Sequence, residues 1–177
     1  MQVQEALEEY LLSQMVTLCA NGTTSDAVAG DASRMIEDLG LFEAVTPFER
    51  FVSTLGPGMV TSPRVIEDTP QSLRVSVEHR YSLARWPSFE FVVFESEDGI
   101  AWGQTFARRV GMPVPAISAM TDLARWSHLE SEVRAALGVP VSHEGWSPWE
   151  SSIYHMGDTD VALCYVYGLL QNVKPLA

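Results

Sequence analysis

The sequence has one lysine, Lys174, two cysteines, Cys19 and Cys164, and four histidines. Each scarcity excludes something. Ten arginines and that lysine face 23 acids, for a net charge of −12. Such a field repels phosphate backbones and anionic lipid, so neither nucleic acid nor a membrane surface is expected as a partner. No apolar run approaches the ~20 residues of a membrane-spanning helix. The first residues, Met1 to Glu5, lack the basic and apolar regions of a signal peptide, so the expected location is the cytoplasm. Cys19 falls in an expected helix and Cys164 in an expected strand. Both read as small buried hydrophobes. A bond between them stays open, although nothing else in the sequence suggests an oxidising compartment.

The motifs of catalysis are missing too. There is no HExxH, no zinc-finger histidine spacing, no phosphate-binding glycine loop and no G-x-S-x-G elbow. Gly56-Pro57-Gly58 is a turn. Cys164 has no neighbouring cation or helix N-terminus to lower its pKa. Cys19 lies near a helix end whose dipole raises a thiol pKa. His79 sits on the apolar face of a strand and reads as a satisfied core histidine. His143, His155, Asp158 and Asp160 could converge on a metal, but loop and strand-end residues in water account for them better. The expectation is therefore a non-enzymatic chain, with no catalytic residue, no metal and no cofactor.

What is present is burial material. The 177 residues are 46% hydrophobic and include five tryptophans, enough for one domain spanning 1–177 with its own core. Helices are expected over 3–20, on a stripe of Val3, Leu7, Leu11 and Leu18, and over 26–39. A short helix follows, with Thr46 as N-cap, Pro47 at the first position and Glu49 completing a capping box. Residues 59–66 read as a weak strand. Residues 72–83 alternate: Leu73, Val75, Val77, His79, Tyr81 and Leu83 face the core, while Arg74, Ser76, Glu78, Arg80 and Ser82 face water or a partner. Strands over 88–96 and 100–109 flank a type I′ turn at Glu97-Asp98-Gly99. A long helix is expected over 119–137, then a loop over 141–150 and a closing hairpin over 151–170. The fold class is α+β: N-terminal helices, an antiparallel meander of three to four strands, a long helix and a C-terminal β-hairpin. The helices are expected on one face of the sheet.

Two features point beyond packing. The charge is uneven: residues 1–50 hold nine acids against Arg34 and Arg50, while residues 51–110 are nearly neutral. The segment 143–150 also crowds His143, Glu144, Trp146, Trp149 and Glu150 together. Tryptophan is enriched at interface hot spots, and acids beside it suit a basic partner. In composition and element order the chain resembles bacterial toxin-neutralising immunity proteins, and also dedicated secretion chaperones. That resemblance implies binding to a basic protein, a toxin or an effector, by a monomer or homodimer. The expected contacts are Glu144, Trp146, Trp149 and Glu150, with Glu97 and Asp98 at a hairpin tip. A small enzyme using His79 or His155 is the remaining alternative.

Overall fold

The computed structural model describes residues 3–19, 41, 46–60, 64–69 and 72–176. The helix expected over 26–39 lies outside them. The chain divides into two compact units, one of residues 1–11 and 25–104, the other of residues 12–24 and 105–177. The class is α+β, with antiparallel sheets. No helix among the described residues is long and apolar enough to cross a membrane.

Helix α1 spans Val3–Cys19. Its buried positions Leu7, Leu11, Met15 and Cys19 recur every four residues, which makes the core stripe. In the first unit, Thr46–Pro47 is a short strand, β1, paired with β6. Helix α2, Phe48–Leu55, therefore starts after Pro47 with no side-chain cap, and the expected capping box is absent. Strands β2 (Met59–Val60) and β3 (Arg64–Thr69) both pair with β4 (Ser72–Ser82). Strands β5 (Phe89–Ser96) and β6 (Ile100–Arg108) complete a sheet of order β1-β6-β5-β4-β2, with β3 also on β4. The β5–β6 turn differs from the expected type I′. It has three residues, with Gly99 N–H bonded to Ser96 C=O at 3.0 Å and Gly99 left-handed at φ 72°.

The middle of β4's polar face is not solvated. Ser76 and Glu78 are 1% and 2% exposed, whereas Val75 on the other face is 40% exposed. The polar groups are buried because they satisfy one another. Trp102 stacks on Phe94 and donates its indole N–H to Ser76 Oγ at 2.9 Å. The Arg80 guanidinium bonds Glu78 at 2.8 Å and Glu90 at 3.3 Å. Charges removed from water in this way persist only when paired.

The second unit carries its own sheet, of order β10-β9-β8-β7. Strands β7 (Ser142–Trp146), β8 (Trp149–Met156), β9 (Thr159–Val166) and β10 (Leu169–Pro175) run antiparallel. The expected C-terminal hairpin is thus half of a four-stranded sheet. Tyr154, Val161, Leu163, Tyr165 and Leu170 form its core with Leu123 and with Val133 of helix α3, Glu130–Leu137.

The long helix expected over 119–137 is only that short helix, preceded by a 3₁₀ turn at Met120–Asp122. The intervening residues serve the sheet instead. Leu129 bridges Leu169, the Trp126 N–H bonds Leu170 C=O at 2.8 Å, and the Leu170 N–H bonds His128 C=O at 3.0 Å. Trp126 turns left-handed at φ 62° to do so. Of the helical stripe Ala119, Leu123, Trp126, Leu129, Val133 and Leu137, Leu123, Leu129 and Val133 enter the core, Trp126 and Leu137 are half-buried, Ala119 is exposed, and the fully buried His128 lies outside the stripe. Arg108 anchors α3, with Nη2 2.7 Å from Glu132 Oε2. Burial alone would raise the Glu132 carboxyl. The Arg108 hydrogen bond and the Leu129 N–H outweigh burial and hold it below its ordinary value.

Cys19, the last residue of α1, is disulfide-bonded to Cys164 in the middle of β9. The two cysteines are covalent partners, not the separate apolar fillers read from the sequence.

Candidate functional site: a tryptophan hairpin

The segment 141–150, expected to be a loop, is the β7–β8 hairpin. Ser147 and Pro148 close it, and the register runs Trp146↔Trp149, Gly145↔Glu150, Glu144↔Ser151 and His143↔Ser152. Since side chains alternate across a strand, Glu144, Trp146 and Trp149 share one face, and His143 and Glu150 the other. The two indoles contact each other, with ring centroids 4.8 Å apart at 46°. Trp146 is 67% exposed, and every residue of β7 is exposed. Trp149 is half-buried, and its strand is held from behind by β9, where Trp149 pairs with Val166. The Tyr167 N–H also bonds Pro148 C=O at 2.7 Å, which ties the hairpin tip to the sheet.

Gly145 permits this geometry. A Cβ placed there would lie 2.5 Å from Trp149 O and 2.7 Å from Glu150 Cα, so the strands approach too closely for any side chain. On the far face, Glu150 is half-buried. Burial pushes its carboxyl above the ordinary range and the Glu130 charge adds to this, while His143 and Arg134 oppose it. The fully buried Tyr165 lies opposite Glu150 in register, and its phenol is pushed up by burial, by Tyr154 and by the two carboxylates.

The expected contact residues thus divide. Glu144, Trp146 and Trp149 come together on one face, and Glu150 belongs to the other. Glu97 and Asp98 are exposed at the β5–β6 turn, in the first unit.

The other sequence candidates have local partners. His79 is buried, with Nε2 2.6 Å from Glu95 Oε2 and its ring 3.8 Å from that of Phe48. His143 Nδ1 lies 3.0 Å from Ser152 Oγ, and His155 Nδ1 lies 2.8 Å from Asp160 Oδ1 on the opposite face of the sheet. Among the described residues, no three metal-capable side chains gather. A cavity of about 270 Å³ in the first unit is lined by Gln4, Leu7, Gly58, Met59 and Tyr81, and one of about 400 Å³ in the second by Met120, Leu137, His155 and Met156. His79 lines neither.

Sequence reasoning missed the hairpin backbone and left the disulfide undecided. The hairpin had a signal, two tryptophans placed symmetrically about the turn pair Ser147-Pro148. The disulfide was left open, since two cysteines allow one pairing and only the meeting of α1 and β9 decides whether it forms.

No protein-family model matches the chain, and no curated protein or solved structure matches it either.

Proposed function

We propose that the chain is a non-enzymatic binding protein that masks a basic protein partner through the tryptophan face of its β7–β8 hairpin, as a toxin-neutralising immunity protein does. The observation that carries this reading is Trp146. It holds a large aromatic surface in water, supported by Trp149 and bordered by the exposed carboxylate of Glu144. Exposed tryptophan on a rigid element is the kind of anchor that dominates binding energy. A chain of net charge −12 favours encounter with a cationic protein. The Cys19–Cys164 bond supports work in an oxidising compartment, such as a periplasm or the cell exterior, over the cytoplasm expected from the sequence.

The test is affinity capture from extracts of the source cells with the disulfide kept intact. The native chain is compared with a Glu144→Lys/Trp146→Ala double variant, and bound proteins are identified by mass spectrometry. The expected outcome is a basic protein that the double variant retains at least tenfold less well. An acidic captured protein, or equal retention by the variant, overturns the reading.

A further inference from the structure

The two margins of the second sheet are treated differently. The outer margin of β10 is covered at its start, where residues 126–130 supply the Leu129–Leu169 bridge and hydrogen bonds to Leu170 and Gly168. The outer margin of β7 is bare: the sheet ends there, and among the described residues nothing pairs with it. Residues Ser142 to Trp146 are all exposed. Sheets usually blunt such a margin with proline, lysine or a bulge. Within 142–146 there is no proline and no lysine, and the pairing with β8 is regular.

We infer that β7 accepts an extended, arginine-bearing segment of the partner as a fifth strand of this sheet. The inference rests on the hairpin reading above and adds how the partner is held. The added strand donates and accepts main-chain hydrogen bonds along β7, which is a general mode of peptide capture. Its side chains alternate, so every second one lies beside Glu144 and Trp146. Glu144 is exposed and has no ion pair among the described residues. Trp146 presents an open indole face to a guanidinium. Arginine at alternate positions answers both. A second copy of this chain is the poorer occupant, since it brings another −12 charge and a second Glu144 to the same margin.

The probe is a fluorescent peptide, acetyl-Arg-Val-Arg-Val-Arg-Val-amide, titrated against the intact oxidised chain and followed by anisotropy. Two further peptides carry N-methyl groups on alternate amides, in complementary sets. Methylation removes donors and blocks pairing while keeping charge and side chains. Strand addition requires the parent to bind, one methylated set to bind at least tenfold more weakly, and the other to bind like the parent. Glu144→Lys should also weaken the parent at least tenfold, and amide exchange over 142–146 should slow when the parent is bound. If both methylated sets bind like the parent, strand addition is wrong while side-chain docking on the tryptophan face stands. If no peptide binds, or if the chain dimerises through β7 and excludes the peptide, strand addition is likewise wrong. The capture experiment above judges the hairpin reading separately.

Discussion

Ionising Glu150 weakens the fold. Glu144 is exposed, whereas Glu150 is half-buried beside Glu130, and its folded pKa is raised. The sign follows from linkage. When folding raises a carboxyl pKa, the protonated form favours the fold, and ionisation weakens it as pH climbs through the folded value. Glu150→Gln should therefore melt at a higher temperature than the native chain at pH 7. The gap should close as pH falls well below the ordinary carboxyl value of about 4.3, where Glu150 is neutral in both the folded and the unfolded chain. A lower melting temperature for the variant at pH 7 would show that Glu150 is needed as an anion. His79 marks what was readable at this scale. Its place on the alternating apolar face of β4 announced burial, and only its carboxylate partner, Glu95, needed coordinates. Glu78 marks the opposite case. Alternation assigned it to water or a partner, and nothing in the sequence signalled that Arg80 and Glu90 would pair with it.

The hairpin is the element on which the binding reading depends, and Gly145 is its weakest point. Gly145→Ala should destabilise the second unit by about 1–3 kcal/mol, because a methyl group there meets the main chain of Trp149 and Glu150 and one of the two strands must move. Near-ultraviolet circular dichroism should report loss of the Trp146–Trp149 contact, and urea unfolding should report the destabilisation. An unchanged spectrum and midpoint would mean that the hairpin opens freely. Element type was legible where a period was long. The alternation over 72–83 gave β4, and the apolar run over 88–96 gave the central β5. In β7, where Ser, His, Glu, Gly and Trp carry no apolar period because neither face is buried, only the tryptophans about Ser147-Pro148 marked a hairpin. The period misled over 119–137, where the pattern was helical but pairing with β10 took residues 126–129. Tertiary hydrogen bonds override local propensity over such short stretches.

At the scale of the whole chain, the α+β class followed from the run of helical, alternating and helical patterns, whereas the partition into two sheets did not. The second sheet rests on a covalent tie. Cys19 and Cys164 are 145 residues apart in sequence, so the bond removes much unfolded-state freedom. Cys19→Ser, or reduction of the native chain, should lower unfolding free energy by about 2–5 kcal/mol in chemical denaturation under oxidising conditions. Equal stability with and without reductant would mean that the tie is dispensable. The unequal margins of the second sheet have a consequence for where a strand can be added. The margin of β7 is open along its length, whereas the start of β10 is already taken by residues 126–130. A fifth strand is therefore directed to β7 and away from Leu169 and Leu170.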